Sequence, residues 1–575
     1  MRPFTARLLA SAAVIASLAA PVWADENPGA YLAARSAALD RNYAEAAVWF
    51  GLALEDDPDN LGLLEGVLQS RLGLGDFAGA VAVAQKLVVA GQPGQGAPIA
   101  LMVTRADALD FNAILADTSG ASVSALYDQL TKAWAEVGNG RMTEALAQFD
   151  TLTKSPGLEA FGLYHRALAL ASVGDYEGAE AILSGQTNGP INLMRRGVIA
   201  RVQILSQLER NPDALKLLDE VFGTTPDAAI DALRVRLTAG EPIPYDITRN
   251  AKDGLAEVMF TIAGALNAEA DDTFTLVYAR AAVHLRPDNT EAVLLVAGLL
   301  GNLGQFDLAA GTYAEIPATD PAYVIAEIGR AEALRNAGRT EAALEALQAL
   351  ARSTPDVVAV HMALADSLRR AERFAEAVVS YDAAVALIGA PQPGQWPIYY
   401  SRGVSHERTG NWPAAEADFR QALALNPEQP QVLNYLGYSL VDRGENLTEA
   451  LDLIEQAVKL DPEAGYIIDS LAWAYYRLGR FTDAVAPMEK ASLLEPVDPV
   501  VTDHLGDVYW AVGRTLEARF QWHRALSFDP AEKDAARIRR KLDLGLDAVR
   551  AEEGAAPIRP LAVTETPAKP ATDDN

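Results

Sequence analysis

The sequence predicts an all-α fold, an α-solenoid in which about twelve or thirteen short helix hairpins stack one after another. Three observations support this prediction. The chain has 575 residues, far more than one hydrophobic core can organise. Hydrophobic residues make up 50% of the chain and charged residues 22%, so apolar surface is available to bury. Near the carboxyl-terminal end, the same residue types return every 34 or 35 residues.

The first predicted element is an export signal at residues 1–24. Arg2 and Arg7 precede an apolar run that ends at Ala24. Charged, apolar and small residues in this order are typical of a secretory signal, with cleavage expected after Ala24. A membrane anchor is the alternative, but the run is short for a spanning helix, which needs about 20 apolar residues. Because the chain has no cysteine to carry a lipid, we expect a periplasmic, non-lipidated protein without integral membrane insertion.

Four prolines mark the ends of the most regular repeats. Pro427, Pro462, Pro496 and Pro530 are 35, 34 and 34 residues apart, and each follows a run of helix-forming residues. Proline has no amide hydrogen with which to continue a helix, so each one is predicted to close the second helix of a hairpin. One period of the repeat is therefore one helix hairpin.

Small residues recur within each repeat where two helices must turn or cross. The last two repeats share, at matching offsets, Leu471, Ala472, Tyr475, Gly479, Ala484, Met488, Ala491 and Pro496, and then Leu505, Gly506, Tyr509, Gly513, Ala518, Trp522, Ala525 and Pro530. Glycine ends the first helix because it adopts a left-handed backbone freely, and alanine permits a close helix crossing. The pattern resembles the tetratricopeptide repeat (TPR), W-x2-L-G-x2-Y followed by A-x3-F, A and P. The resemblance implies helix pairs stacked into a right-handed superhelix.

The regularity of the repeat divides the chain into segments. Residues 25–240 are predicted to form a degenerate amino-terminal TPR-like array, and residues 253–530 the carboxyl-terminal TPR array. Residues 241–252 include two prolines, which predicts a linker or bend. Residues 531–553 keep apolar residues at helical spacing and are predicted to form a capping helix. Residues 554–575 are rich in Pro, Ala, Thr and Asp, so we expect a disordered tail there.

The charge balance limits the classes of partner. The chain has 48 Lys and Arg against 77 Asp and Glu, which gives a formal net charge of −29. Nucleic acid and anionic lipid are bound through clustered cations, so neither is expected as a partner. The sequence leaves the oligomeric state open.

The candidate binding surface is one side of the first helix in each of the last four repeats. Positions 2, 5, 9, 12 and 13 of a repeat share that side, which lines the inner curve of arrays in the TPR family. Aromatic and arginine side chains dominate binding energy at protein interfaces. The predicted partner-binding residues are Tyr400, Asn434, Tyr438, Tyr466, Asp469, Trp473, Tyr476, Arg477, Asp503, Asp507 and Trp510.

These side chains predict an extended or helical polypeptide as the ligand. Asp469, Asp503 and Asp507 favour a ligand with basic or amide groups. The alternative is that the aromatic rings only fill gaps between neighbouring helices.

No motif in the chain predicts catalysis. The six histidines are scattered, with no H-E-x-x-H motif and no pair at metal-binding spacing. Ser405, His406 and Glu407 are adjacent, but successive helical residues face different sides. The run GQPGQG lacks the strand and the lysine that a phosphate-binding loop requires. We therefore expect no enzyme activity, no catalytic residue, no metal site and no cofactor.

A further resemblance narrows the predicted function. Residues 396–530, which include LGYSLVDRGENLTEALDLIEQAVKLDP and YIIDSLAWAYYRLGRF, are similar to the carboxyl-terminal half of long bacterial envelope TPR proteins. One such protein is the lipoprotein adaptor of a carboxyl-terminal processing protease; that adaptor is lipidated, whereas this chain has no cysteine. The resemblance implies a non-catalytic scaffold or adaptor that binds envelope proteins along its concave face. It implies that the scaffold serves such a protease or an envelope assembly complex. The alternatives are a helical-solenoid enzyme that acts on cell-wall glycan and a structural spacer without a groove ligand.

Overall fold

The computed structural model describes residues 28–116, 122–187, 189–223, 227–267 and 270–555. The predicted signal peptide, residues 1–24, lies outside the described residues, as does the predicted tail from residue 556 onward. Across the described ranges, the regular secondary structure consists of 31 α-helices and one short 3-10 turn. Consecutive helices pack as hairpins, which confirms the predicted all-α solenoid of TPR-like hairpins.

The chain divides into two compact units, residues 1–350 and residues 351–575. The helices of the first unit are α1 (Pro28–Leu39), α2 (Tyr43–Asp56), α3 (Leu61–Leu74), α4 (Phe77–Val89), α5 (Gly96–Asp107), α6 (Phe111–Leu115), α7 (Ala125–Gly138), α8 (Met142–Leu152), α9 (Glu159–Ser172), α10 (Tyr176–Leu183), α11 (Arg195–Gln207), α12 (Asn211–Phe222), α13 (Ala228–Thr238), α14 (Ala251–Leu266), α15 (Asp272–Leu285), α16 (Thr290–Asn302), α17 (Phe306–Tyr313) and α18 (Tyr323–Asn336), and α19 (Thr340–Ser353) spans the division.

The second unit contains the most regular hairpins. Its helices are α20 (Val358–Arg370), α21 (Phe374–Ile388), α22 (Trp396–Arg408), α23 (Trp412–Leu425), α24 (Pro430–Arg443), α25 (Leu447–Leu460), α26 (Gly465–Arg477), α27 (Phe481–Leu494), α28 (Pro499–Ala511), α29 (Thr515–Leu526), α30 (Glu532–Leu544) and α31 (Leu546–Glu552). The 3-10 turn, Pro393–Gln395, directly precedes α22.

The turns within the last hairpins are built as the sequence predicts. Gly479, between α26 and α27, has a φ of +74°, and Gly513, between α28 and α29, has a φ of +83°. Both angles lie in the left-handed region, which a residue with a Cβ adopts only at a cost. Ala484 and Ala518, on the second helices of these hairpins, are fully buried at the helix crossings. Small residues thus set both the turn and the close approach of the paired helices.

Two helices of the first unit lie across earlier hairpins of the same unit. Helix α14 packs against α7 and α9, and α15 packs against α3 and α5. The Trp134 ring of α7 lies so close to Gly254 of α14 that a Cβ there would be 2.1 Å from it. On α15, Arg280 Nε donates to the Gly73 carbonyl oxygen of α3 at 3.1 Å. The covered helices are every second helix of the array, namely α3, α5, α7 and α9. One side of this array is therefore covered by α14 and α15 of the same unit.

The non-helical segment 241–250 connects α13 to α14 and is held against α11. The Ile243 backbone N–H donates to Ser206 Oγ at 2.9 Å, and the Asp246 N–H donates to Gln203 Oε1 at 3.0 Å. These bonds fix the path that brings α14 back over the earlier hairpins. The linker and the domain limits inferred from the sequence around this segment stay predictions, and the compact units divide after residue 350.

The carboxyl-terminal end of the second unit is closed by two helices, α30 and α31, in the range 531–553 where the sequence predicts a capping helix. They join at Gly545, which has a φ of +83° and lies against the Trp510 ring. Ile538, Leu542 and Leu546 are buried in the core of the last hairpin. The apolar end of the row of hairpins is thereby covered.

Candidate functional site

The predicted partner-binding residues lie on α22, α24, α26 and α28, which are the first helices of the last four hairpins. Helix α24 packs against α26, and α26 packs against α28. On α22, the Tyr400 ring lies 5.8 Å from the Tyr435 ring of α24. The structure therefore brings the predicted residues together on one surface, which we call the first-helix face.

The predicted residues differ in exposure. Partly or largely exposed are Tyr400, Tyr438, Tyr466, Trp473, Arg477, Asp503 and Trp510. Buried are Asn434, Asp469, Tyr476 and Asp507, with exposed fractions of 8%, 6%, 3% and 1%. The repeat pattern assigns all of these residues to one surface, whereas the structure encloses these four side chains in the protein interior. That the exposed side chains bind a partner stays a prediction.

Trp473 lies in a stack of rings on the first-helix face. Its indole is nearly parallel to the Tyr476 ring at 4.7 Å between centroids and to the His504 ring at 3.9 Å. His504 Nδ1 in turn contacts Asp469 Oδ1 at 3.0 Å. Because the tryptophan is supported by rings from its own helix and from α28, it is held in a fixed orientation while part of it remains open to solvent.

The carboxylates around His504 favour its charged form. Burial lowers the pKa of His504, but the negative charges of Asp469, Asp503 and Asp507 outweigh that effect and raise the pKa above its ordinary value. The buried Asp469 carboxylate is therefore paired internally, and His504 serves as its partner.

Asp503 and Asp507 are likewise paired within the chain. Lys541 of α30, whose side chain is 0% exposed, has its Nζ 2.7 Å from Asp503 Oδ2 and 2.6 Å from Asp507 Oδ1. Arg537, one turn earlier on α30, places Nη1 3.6 Å from Asp507 Oδ2. Burial and the neighbouring Asp507 charge raise the pKa of Asp503, while Lys541 opposes that rise. The sequence predicts that these aspartates favour a ligand with basic or amide groups, whereas in the structure the chain's own α30 provides the basic group.

The capping helices also contact the aromatic residues at this end of the face. Arg550 Nη1 of α31 donates to the Tyr476 hydroxyl oxygen at 3.2 Å. Trp510 Nε1 donates to Asp547 Oδ2 at 2.9 Å. Helices α30 and α31 therefore occupy the first-helix face beside α28.

The part of the first-helix face on α22, α24 and α26 remains open, and we call it the open part or the open face. It presents Tyr400, Tyr438, Tyr466, Trp473 and Arg477. Tyr466 is 46% exposed. Burial, with the nearby Asp469 and Asp442 charges, raises the pKa of Tyr438 to about 12, so its hydroxyl is protonated and can donate a hydrogen bond. The open part thus offers aromatic surface, hydroxyl groups and the guanidinium group of Arg477.

Sequence reasoning missed His504, Lys541 and Arg537 as parts of this face. One signal for Lys541 is visible in the sequence: it lies three residues after Ile538 and next to Leu542, inside the apolar stripe of α30. A lysine in a buried stripe needs an acidic partner. Nothing in the sequence of α30 alone identifies Asp503 and Asp507 as those partners.

In the described ranges, no helix is long and apolar enough to cross a membrane. No group of three or more His, Cys, Asp or Glu that could hold a metal ion occurs in the part of the chain that the structure describes.

Comparison with protein families and curated proteins finds the repeat suggested by the sequence. The family model for the tetratricopeptide repeat matches residues 130–187, 328–394 and 400–467. A TPR repeat-containing protein of Pseudomonas aeruginosa, PA4667, is 32% identical to this chain over 178 residues, which are 30% of this chain and 28% of that protein. The chain thus matches less than a third of the length of this relative.

Several solved structures match the chain at low sequence identity. The APC/C hetero-tetramer Cut9-Hcn1 gives a TM-score of 0.37 at 16% identity, over 90% of this chain and 95% of that one. Yeast Tom70 gives 0.34 at 13% identity, over 91% of this chain and 95% of that one. A tetratricopeptide repeat protein from Parabacteroides merdae gives 0.37 at 17% identity, over 44% of this chain and 98% of that one.

Proposed function

We propose that the chain, which the tetratricopeptide-repeat model matches in three segments, is a protein-binding scaffold and acts as an adaptor that holds a protein partner on the open part of its first-helix face. The partner's polypeptide segment lies along α22, α24 and α26. The bound side chains pack on Tyr438, Tyr466 and Trp473, and Arg477 provides a hydrogen-bond donor at the edge.

One observation carries this proposal: Trp473 is a large ring, partly exposed, held in place by stacking on Tyr476 and His504. A rigid aromatic group that is already ordered loses little conformational entropy on binding, which is the property of a binding hot spot. The TPR fold does not require an aromatic residue at this position of the repeat.

We further propose that the adaptor acts in the periplasm, on a carboxyl-terminal processing protease or an envelope assembly complex. The charged, apolar and small residues that follow one another in residues 1–24 support export. The resemblance of residues 396–530 to long envelope TPR proteins supports this class of partner. Fractionation of cells that express the tagged chain tests the location: the processed chain belongs in the periplasmic fraction, and its retention in the cytoplasm would contradict the proposal.

The binding proposal is tested with the purified mature chain and the purified carboxyl-terminal processing protease of the same organism. Biolayer interferometry measures their affinity directly. The double variant Tyr466→Ala/Trp473→Ala removes two aromatic contacts from the open face. Since hot-spot aromatics contribute about 2 kcal/mol or more each, we expect binding to weaken at least about 100-fold.

The matched control is Phe520→Ala on α29, a second helix of its hairpin. Phe520 is 65% exposed, so its loss removes a ring without disturbing the core. We expect this variant to bind as the unaltered chain does. Binding that survives the double variant would refute the open face as the contact surface. In a separate assay, soluble products released from peptidoglycan by the purified chain would favour the alternative of a glycan-acting enzyme.

The structural spacer is the second candidate. It is favoured by the observation that four of the predicted residues are buried in contacts within the chain. Under the spacer hypothesis, Tyr466→Ala/Trp473→Ala and Phe520→Ala capture the same envelope proteins from a cell-envelope extract as the unaltered chain does.

A further inference from the structure

The charge available on the open face differs from the charge that the sequence suggests. Asp503 and Asp507 are paired with Lys541, and Asp469 with His504. These are the aspartates that favoured a basic ligand in the sequence. Because their charges are balanced inside the chain, they do not attract a cation from outside.

A row of four charged residues borders the open face at position 13 of successive first helices. The row consists of Arg370 on α20, Arg408 on α22, Asp442 on α24 and Arg477 on α26. Helix α20 packs against α22. Arg477 Nη1 lies 3.1 Å from Asp442 Oδ1, so these two members of the row are in contact.

The row has an excess of positive charge in a strongly acidic chain. Asp442 balances Arg477, whereas no carboxylate of the described residues pairs with Arg370 or Arg408. Both of these arginines are exposed, and Arg408 rests on the Phe374 ring, with its guanidinium carbon 5.2 Å from the ring centroid. The net charge of the whole chain is −29, so this local excess runs against the general balance.

Resting on the proposed function, we infer that the polypeptide segment bound by the open face carries carboxylate groups, which Arg370 and Arg408 bind, next to aromatic or apolar side chains that pack on Tyr438 and Trp473. The guanidinium group is planar and offers paired N–H donors that match a carboxylate. The polar end of the segment lies toward α20, and its apolar part lies toward α26.

The inference is tested by selecting peptides from a random dodecapeptide display library on the full mature chain. We expect the selected peptides to be enriched in Asp and Glu relative to the starting library, together with aromatic or apolar residues. Enrichment in Lys and Arg, or a charge composition equal to that of the starting library, would overturn the inference.

A charge-reversed pair of variants localises the effect. In Arg370→Glu/Arg408→Glu, we expect the affinity for the best selected peptide, measured by fluorescence anisotropy, to fall at least about tenfold, because two attractions become repulsions. The control Arg519→Glu/Lys533→Glu makes the same change in net charge at two exposed residues of α29 and α30. An equal loss in both variants would show a general charge effect and would refute the assignment to Arg370 and Arg408.

The experiment separates this inference from the proposed function. If Tyr466→Ala/Trp473→Ala abolishes peptide binding but the selected peptides are not acidic, the open face is the binding site and only the charge assignment fails. If peptide binding is unchanged in Tyr466→Ala/Trp473→Ala, the proposed face itself is refuted.

Discussion

Replacement of Lys541 by methionine tests how the capping helices are held on the last hairpin. Methionine keeps the length and the apolar stem of lysine but removes its charge. The variant leaves Asp503 and Asp507 close together, with Arg537, at 3.6 Å from Asp507 and 4.0 Å from Asp503, and the neighbouring His504 to offset their charges. The Asp507 carboxylate is 1% exposed, so water cannot replace the lost cation.

The magnitude follows from the loss of one partner of a buried ion pair, which costs about 3–5 kcal/mol. Protonation of Asp503, whose pKa is already raised by burial, relieves part of that cost. We therefore expect about 3 kcal/mol, which corresponds to a decrease of roughly 100-fold in the protection of α30 amides against hydrogen exchange.

Native-state hydrogen exchange followed by mass spectrometry of peptides from α28 to α31 measures this decrease. Lys533→Met, at an exposed site on the same helix, is the control and should leave the exchange of α30 unchanged. The triple variant Asp503→Asn/Asp507→Asn/Lys541→Met removes all three charges and should recover much of the protection. Unchanged α30 exchange in Lys541→Met would refute the view that the buried lysine holds the cap.

Two further predictions concern charge and packing. The pKa of His504 is raised by its carboxylate neighbours. Its contribution to the stability of the second unit is therefore fully present below about pH 6.5, the unfolded value, and is lost as the pH rises through the folded pKa. His504→Gln should remove this pH dependence of the thermal midpoint, whereas His523→Gln, at an exposed site, should not. Gly254→Ala places a Cβ 2.1 Å from the Trp134 ring and should destabilise the first unit by about 1–3 kcal/mol in urea unfolding. Gly298→Ala, in a helix with no atom within 4 Å of the new Cβ, should instead raise stability by up to about 1 kcal/mol, and a loss of equal size in both glycine variants would contradict the packing argument.

The sequence predicts the hairpins because their determinants are local. Gly479 and Gly513 form the turns and Ala484 and Ala518 lie at the crossings, and the spacing of these residues can be seen without a structure. The position of Trp473 on the first-helix face also follows from its place in the repeat.

The internal pairing on that face could not be predicted, because it joins residues that are distant in the sequence. Lys541 pairs with Asp507, which precedes it by 34 residues, and Asp469 pairs with His504 of the next repeat. Helical periodicity assigns each side chain to a face, but it does not state what covers that face. The placement of α14 and α15 over the first unit is hidden from the sequence for the same reason.

The way α15 reaches α3 has a consequence for how the first unit assembles. In a simple stack of hairpins each repeat contacts only its neighbours, so folding can proceed from one repeat to the next. Here Arg280 bonds to Gly73, which is 207 residues away in the chain. Contacts at such sequence separation slow folding, because the connecting chain must be ordered before they form. We therefore expect the hairpins from α3 to α9 to gain their full stability only after residue 285 has been synthesised, and to unfold together with α14 and α15 as one cooperative body.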